Sequence, residues 1–265
     1  MFNKIKEYYK QTDRATFIVY VILRFFVIIS MVLQLVHHNF NNAFLCILTL
    51  ILFTIPYSIN KKFSIELPNV LEIIILLFIF SAEILGEIQN FYGTFKHWDT
   101  ILHTINGFLC AAIGFSLIDI LNNAEKFHIN LSPIFVALVA FCFSMTIGVL
   151  WEFFEFGMDC TFRTDMQKDR IVPTISTVTL NEEGKNKPVV LKNIKETTIY
   201  NEDESGNLSE IVIEGGYLDI GLMDTMKDLL VNFIGAVTFS IIGLLYIKDR
   251  DEYKIAEKFI PILRK

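Results

Sequence analysis

Long apolar runs separated by short polar stretches dominate the pattern of this 265-residue chain. A helix that crosses a bilayer needs roughly 20 mostly apolar residues, and six runs approach or reach that length. To within a few residues they are Ala15 to Val36, Ala43 to Ile59, Leu67 to Leu85, Trp98 to Leu121, Ser132 to Phe156, and Asp224 to Ile247. The pattern predicts an all-α membrane protein, a bundle of six transmembrane helices.

The connection between the fifth and sixth runs is polar and has a different character. It contains three segments that are rich in β-branched residues and are separated by turn residues. These segments are Ile175 to Leu180, Val189 to Tyr200, and Leu208 to Gly215. We therefore expect residues 160–223 to form a small β-rich insert.

The Lys and Arg residues of the short loops predict the orientation, because such residues concentrate on the cytoplasmic side. They are frequent in the N-terminal arm, after the second run and in the C-terminal tail, whereas the opposite short loops hold only Lys96. Both termini are then cytoplasmic. The long insert does not contribute to this rule, and the number of spans places it on the extracytoplasmic side.

The predicted organisation therefore has four parts. Residues 1–159 carry transmembrane helices 1–5, residues 160–223 form the insert, residues 224–247 form helix 6, and residues 248–265 form a cytoplasmic amphipathic tail. Apolar residues alternate with bases in this tail, a pattern typical of a short helix on the inner leaflet. A solvated charged tail explains the same pattern equally well.

The composition supports a membrane protein and limits the classes of molecule that it is expected to bind. Hydrophobic residues make up 53% of the chain and the mean hydropathy is +0.48, which does not suit a soluble surface. We expect a multi-pass protein of the plasma membrane. The net charge is -6 and no basic patch favours nucleic acid, so membrane lipids are the expected partners.

Ionisable residues inside the apolar runs are the candidates for chemistry, because a charge far from water costs at least ~2.5 kcal/mol at the centre of a bilayer. Their helical spacing groups them into three faces, one on each of the last three runs. These groups are Asp99 with His103, then Glu152, Glu155 and Asp159, and then Asp224 with Asp228. The predicted topology brings all three groups to the outer face.

Depth separates these residues into two classes. Asp99, Glu155, Asp159 and Asp224 lie near span ends, where capping or an interfacial position explains a carboxylate as well as function does. His103, Glu152 and Asp228 lie a turn or more deeper, where ionisable groups usually serve a function.

The charges of this set require compensation, because closely spaced carboxylates cannot all ionise in a medium of low dielectric constant. A histidine with several carboxylates is a mixed N/O ligand set that suits a divalent metal such as Zn, Mn or Mg. The predicted metal ligands are Asp99, His103, Glu152, Asp159, Asp224 and Asp228. Protonated carboxyl groups in a relay, or a cation path, are the competing explanation.

Three motifs together resemble those of the YjdF-type family of integral membrane proteins, whose biochemical function is uncharacterised. They are Trp98 to His103 with Gly107, Trp151 to Glu155 with Asp159, and Asp224 to Asp228 with Gly235 and Ala236. The layout is also similar, more distantly, to VanZ-like membrane proteins, a resemblance that implies a role in glycopeptide resistance. The chain departs from the YjdF-type pattern by its Thr161 to Gly215 insertion.

These observations lead to a first hypothesis and two alternatives. The first is a metal-dependent hydrolase or transferase that acts on a lipid or a lipid-linked cell-envelope intermediate. In it, Glu155, together with Glu152, would be the catalytic carboxylates, with Glu155 as the general base. The alternatives are a proton- or cation-coupled transporter and a non-catalytic envelope or resistance factor.

Overall fold

The structure is a computed structural model that describes residues 13–63, 65–122, 131–203 and 205–263. The chain is mostly helical, with a few small antiparallel sheets. It divides into two compact units. We call Met1–Leu150 with Asp228–Lys265 the helical unit and Trp151–Lys227 the insert unit.

Eight α-helices lie in the described residues. They are α1 (Arg14–Val36), α2 (Phe40–Leu52), α3 (Ile55–Phe63), α4 (Asn69–Phe80), α5 (Phe91–Thr94), α6 (Trp98–Asn122), α7 (Pro133–Phe162) and α8 (Leu222–Lys248). A π-helix, Ser81–Ile88, continues α4, and a 3₁₀-helix, Lys254–Lys258, follows α8.

Five helical segments of the described chain are long and apolar enough to cross a membrane. They are α1, the segment Phe40–Asn60, α6, α7 and α8. This finding confirms a multi-pass membrane protein. The third predicted run is not among these candidates, and its α-helix α4 has 12 residues before the π-helix continues it to Ile88. The sixth span and the cytoplasmic termini stay predictions.

The first half of the helical unit has its own apolar core. Helices α1, α2 and α4 and the π-helix pack around buried side chains such as Val27, Cys46, Leu76 and Ile84. Most other side chains of α1 point outward and are apolar, as in Phe25, which is 60% exposed. An apolar exterior of this kind is suited to lipid rather than water.

A second core joins α6, α8 and the part of α7 that precedes residue 151. Ala111, Phe115, Val136 and Phe239 are fully buried in it. The rings of Phe115 and Phe239 lie 6.0 Å apart in an edge-to-face arrangement. This core fills the interior of the three-helix arrangement with apolar side chains.

Part of the tail after α8 packs onto the rest of the helical unit, and its predicted position on the cytoplasmic leaflet stays a prediction. Ala256 and Ile260 are buried in the second core. Strand β8 (Ile262–Leu263) pairs antiparallel with β1 (Ile65–Glu66), which precedes α4. Of the apolar residues that suggested an amphipathic surface helix, Ile260 is therefore covered by protein, whereas Ile255 and Ile262 stay exposed.

Helices α6 and α8 touch through their backbones at two glycines. A Cβ atom added to Gly107 would clash with the carbonyl oxygen of Asn232, and one added to Gly235 would clash with that of Thr104. Small residues allow such close approach between membrane helices. The two glycines therefore fix the distance between α6 and α8.

Six short strands form three antiparallel pairs in the insert unit. The pairs are β2 (Ile171–Val172) with β7 (Tyr217–Leu218), β3 (Thr174–Thr177) with β4 (Val189–Lys192), and β5 (Glu196–Glu202) with β6 (Leu208–Glu214). The run Val189 to Tyr200, predicted as one segment, is split at Asn193, whose φ of 55° places it in the left-handed region. Asn adopts that conformation more readily than most residues.

Asp219 links the residue before strand β2 to the first turn of α8 through hydrogen bonds. Its carboxylate accepts hydrogen bonds from the backbone N–H groups of Arg170 (2.7 Å), Met223 (2.8 Å) and Gly221 (3.3 Å). Burial acts to raise the pKa of Asp219, but these hydrogen bonds outweigh it and the pKa is lowered. Burial and the charges of nearby aspartates raise the pKa of Asp169 in the same unit.

Gly235→Ala tests the backbone contact. The added methyl group has no space beside the Thr104 carbonyl, so we expect a loss of roughly 1–3 kcal/mol in the free energy of unfolding, as in overpacked cores, measured by SDS-induced unfolding in detergent micelles. Gly157→Ala is the matched control, because a Cβ there meets nothing within 4 Å and Ala favours a helix by up to ~1 kcal/mol. Equal free energies of unfolding for Gly235→Ala and Gly157→Ala would contradict the close backbone contact between α6 and α8 at Gly235.

Asp219 predicts a defined response of the insert unit to acid. A carboxyl with a lowered pKa stabilises the folded state above its unfolded pKa of about 3.9, and this stabilisation is lost as the pH falls through the lower folded value. The pKa of Asp169 is shifted in the opposite direction, so protonation of Asp169 stabilises the folded state as the pH falls toward about 4. Hydrogen–deuterium exchange, corrected for intrinsic rates, should show protection of the Arg170 and Met223 amides falling only below about pH 4.

Asp219→Asn provides the test at neutral pH. Both carboxylate oxygens accept backbone hydrogen bonds, and the NH2 group of Asn cannot accept at one of these positions. Protection of at least one of the two amides should therefore fall roughly fivefold, as expected for a lost hydrogen bond worth about 1 kcal/mol, and most of the acid dependence should disappear. Glu183→Gln, which alters a surface pair with Lys185 in the same unit, should leave both unchanged. Unchanged protection in Asp219→Asn would show that the carboxylate does not hold this junction.

Candidate metal centre

Three ionisable side chains of the helical unit converge where α6 and α8 pack together. The Nε2 atom of His103 lies 3.3 Å from Oδ1 of Asp99 and 3.9 Å from Oδ2 of Asp228. One potential ligand atom from each residue lies within 4.8 Å of the other two. We call Asp99, His103 and Asp228 the triad.

The triad is largely withdrawn from solvent. The side chain of Asp228 is 3% exposed, that of His103 12% and that of Asp99 27%. Exposure therefore increases toward the first turn of α6, where Asp99 lies. A site that is buried on one side and partly open on the other can hold an ion and still admit a ligand.

The spacing along both helices explains why these three residues meet. Asp99 and His103 are four residues apart on α6 and so share one face. Helices α6 and α8 run in the same direction, since His103 lies beside Asp228 and, further along, Asn106 lies beside Asn232. The backbone contacts at Gly107 and Gly235 hold the two faces together.

A layer of polar groups lies one turn below the triad. The side-chain amide of Asn106 donates to the side-chain oxygen of Asn232 at 3.3 Å. The hydroxyl of Ser144, on α7, donates to the carbonyl of Gly107 at 2.7 Å. The helical spacing of Asn106 from His103 and of Asn232 from Asp228 places both asparagines on the triad faces, whereas nothing in the sequence points to Ser144, because a single serine in an apolar run is a weak signal.

The triad has the composition of a metal site with an open position. Two ligands of a tetrahedral centre with bonds of ~2.1 Å lie ~3.4 Å apart, close to the separation of His103 and Asp99 and slightly shorter than that of His103 and Asp228. Three protein ligands plus a water molecule form the usual catalytic zinc arrangement. One nitrogen and two oxygens are also compatible with Mn or Mg. The residues present therefore fit a divalent ion.

The catalytic residues predicted on α7 lie in the insert unit. Glu152 and Glu155 are 5% and 9% exposed. The indole Nε1 of Trp151 donates a hydrogen bond of 2.8 Å to Oε1 of Glu155. This bond holds the Glu155 carboxylate in one orientation, and the role of both residues in catalysis stays a prediction.

Asp159 organises the chain that leaves α7. Its two oxygens accept hydrogen bonds from the Thr164 hydroxyl (2.7 Å) and from the backbone N–H groups of Met166 (2.7 Å) and Gln167 (2.9 Å). These bonds satisfy the carboxylate within the insert unit. The structure thus gives Asp159 a structural role that its sequence spacing did not reveal.

Asp224 has basic neighbours within the insert unit. Its carboxylate accepts from the backbone N–H of Lys168 at 3.0 Å and from the Arg170 guanidinium at 3.2 Å, and the ammonium of Lys227 lies 3.6 Å away. Lys227 is three residues away on the same helix, so the sequence could have shown that pairing. Arg170 reaches Asp224 only through the fold of the insert.

The comparisons with known proteins connect the chain to proteins without a characterised function. It is 30% identical over 104 residues to an uncharacterised protein of Thermotoga maritima, and the match covers 39% of this chain and 52% of that protein. The chain thus spans about half the length of this relative. No solved structure matches the chain.

A family model gives the broader match. The model described as "Predicted membrane protein (DUF2238)" covers residues 17–179, more than half of the chain. The YjdF-type resemblance is consistent with this match but is not established by it, and these comparisons do not show the VanZ-like resemblance. The matched region includes Asp99 and His103 but ends before Asp228. The chain belongs to the DUF2238 family of predicted membrane proteins.

Proposed function

We propose that this protein is a metal-dependent hydrolase or transferase that acts on a lipid or a lipid-linked cell-envelope substrate. One observation carries the proposal: the ligand atoms of Asp99, His103 and Asp228 lie within 4.8 Å of one another inside helices long and apolar enough to span a membrane. Ionisable groups are rare at such positions and usually functional.

Each residue of the triad has a distinct task. His103 and Asp228, the more buried members, would hold a Zn, Mn or Mg ion, and Asp99 would complete the set at the more exposed edge. A bound ion of this kind activates water or polarises a phosphoryl or acyl oxygen. Glu155, oriented by Trp151, is our choice for the general base, with Glu152 as the second catalytic carboxylate. Glu152, Asp159 and Asp224 stay further ligand candidates from the sequence.

The surroundings of the triad favour a one-sided site over a channel. Below the Asn106 and Asn232 pair, α6 and α8 enclose the fully buried residues Ala111, Phe115 and Phe239. A path for ions would need polar groups or water along its length. This apolar core lies beneath the polar layer, and the buried polar side chains beside it, Ser116 and Ser240, are hydroxyls and not ionisable groups.

A proton- or cation-coupled transporter is the second candidate. The position of His103 favours it, because an imidazolium within 4 Å of two carboxylates would be stabilised without a metal. The apolar core beneath the polar layer argues against it. A non-catalytic envelope factor, in which the triad only holds helices together, is the third possibility.

Metal binding by purified protein tests the first proposal. We expect one divalent ion per chain after gentle purification and reconstitution with Mn²⁺ or Zn²⁺, measured by elemental analysis. His103→Ala and Asp228→Asn should each weaken binding by roughly 100-fold or more, since changes even to the outer-shell partners of a metal cost ~10–100-fold. Added metal should also raise the unfolding temperature of the unmodified protein, because an ion at 100 times its Kd stabilises by about 2.7 kcal/mol.

Asp119→Asn is the matched control for Asp228→Asn. Asp119 lies on α6 and forms an ion pair of 2.8 Å with Arg250, away from the triad along the helix. This variant should bind metal like the unmodified protein even if its stability falls. Absence of a stoichiometric ion in the unmodified protein would overturn the metalloenzyme proposal and favour the proton-binding alternative.

A further inference from the structure

Thr100 carries a buried hydroxyl group in the first turn of α6, between the two triad residues of that helix. Its Oγ1 atom is withdrawn from solvent and has no hydrogen-bond partner among the described residues. A buried polar atom without a partner is destabilising. In native proteins such an atom often marks a place where an ion, a water molecule or a ligand binds.

The position of Thr100 near the start of α6 explains why the helix does not engage this hydroxyl. A threonine inside a helix can donate to the carbonyl four residues earlier, as Thr104 does to the carbonyl of Thr100 at 2.7 Å. For Thr100 the residue four positions earlier is Lys96, which precedes the first residue of the helix, Trp98. The hydroxyl therefore remains available to a ligand.

Helical spacing places Thr100 on the side of α6 that packs against α8. Thr100 precedes His103 by three residues and Thr104 by four, so these residues are neighbours on one face of the helix. On that face His103 lies 3.9 Å from Asp228 of α8. One turn below Thr100, the backbone of Thr104 touches Gly235 of α8. Thr100 therefore lies on the α8 side of the triad, one turn nearer the start of α6 than His103.

Other buried hydroxyls without a partner do not share this location. Those of Thr16 and Ser240 are examples in the part of the chain that the structure describes. Thr16 lies in the first turn of α1, and Ser240 lies two turns beyond Asn232 on α8. Among the described residues, the triad is the one group of side chains that could hold an ion, and Thr100 is the hydroxyl beside it.

A hydroxyl group has the chemistry to bind an oxygen ligand of the proposed ion. It donates one hydrogen bond and can accept two, whereas it lacks the charge of the triad carboxylates. Three protein ligands leave a position on the ion for water or for an oxygen of the substrate. A hydrogen bond from the hydroxyl to an anionic oxygen at that position would be stronger than one between neutral groups.

We infer that the Thr100 hydroxyl binds an oxyanion, such as a phosphate group, that occupies the open position of the ion at the triad. The inference rests on the proposed function, since it requires that ion. Thr100 contacts the oxyanion and is not itself a ligand of the ion. Loss of the hydroxyl therefore weakens binding of the oxyanion and leaves binding of the ion unchanged.

Titrations of the Co²⁺-loaded protein with inorganic phosphate test the inference. The visible absorption of Co²⁺ reports both the binding of the ion and the binding of a further ligand to it. In the full chain in detergent micelles, we expect about one Co²⁺ per chain and a saturable spectral change with phosphate. Thr100→Val should raise the Kd for phosphate about tenfold or more, as for a lost hydrogen bond to a charged group. Its Kd for Co²⁺ should stay within about threefold of the parent value.

Two further variants separate the hydroxyl from the packing of the side chain. Thr100→Ser keeps the hydroxyl and should bind phosphate within about threefold of the parent affinity. Thr104→Val makes the same exchange one turn below, where the hydroxyl already donates to the carbonyl of Thr100, and should match the parent. An unchanged phosphate Kd in Thr100→Val, or an equal loss in Thr100→Ser, would overturn the inference. A loss of Co²⁺ affinity in Thr100→Val would also overturn it, because it would indicate a packing role.

The same titrations distinguish this inference from the proposed function. Absence of Co²⁺ binding by the parent would overturn the metalloenzyme proposal and the inference with it. Saturable Co²⁺ binding with a phosphate Kd that does not depend on Thr100 would overturn the inference alone.

A lipid ligand identifies the source of the phosphate group. If a lipid headgroup supplies it, dioctanoyl phosphatidic acid should change the Co²⁺ spectrum, and Thr100→Val should weaken this lipid as strongly as it weakens inorganic phosphate. A spectrum that responds to inorganic phosphate but not to the lipid would assign the Thr100 hydroxyl to a free anion. That result would support the inference and overturn the lipid substrate of the proposed function.

Discussion

The backbone contact between α6 and α8 is the constraint on which the rest of the candidate site depends. Gly107 and Gly235 let the two helices approach until a Cβ on either would clash with the opposing carbonyl oxygen. At that separation, a side chain as short as that of Asp228 comes within 3.9 Å of His103. Larger residues at these glycines would move Asp228 away from His103, so the geometry of the triad and the packing of the bundle have one common cause.

The polar groups near this contact stabilise each other in layers. The triad lies uppermost, the Asn106 and Asn232 pair follows one turn below, and the apolar core around Phe115 and Phe239 comes next. Buried amides are costly unless they are hydrogen-bonded, and the two asparagines meet this need through each other. Their pairing also fixes the rotation of α6 relative to α8, which is what aligns His103 with Asp228.

The five candidate spans and the triad faces could be predicted from sequence because both depend on local periodicity, whereas the sixth predicted span is not among the candidate spans of the described chain. Runs of apolar residues gave five of the helices that the structure shows as candidate spans, and i, i+4 spacing correctly placed Asp99 and His103 on one face. The tail and the insert were harder. The burial of Ala256 depends on which surface lies beside it, and the break at Asn193 depends on a single left-handed residue. Neither condition is visible in a periodic pattern.

The charge balance of the candidate site also changes once the fold is known. From the sequence alone, the predicted cluster at the outer face has many more carboxylates than basic groups, so protons or a metal ion would have to balance their negative charge. The structure gives Asp159 three hydrogen-bond donors and Asp224 two basic neighbours within the insert unit. The case for a metal therefore rests on the triad alone. The triad brings one nitrogen and two carboxylate oxygens within 4.8 Å of one another, and a mixed N/O donor set of this kind suits a divalent ion.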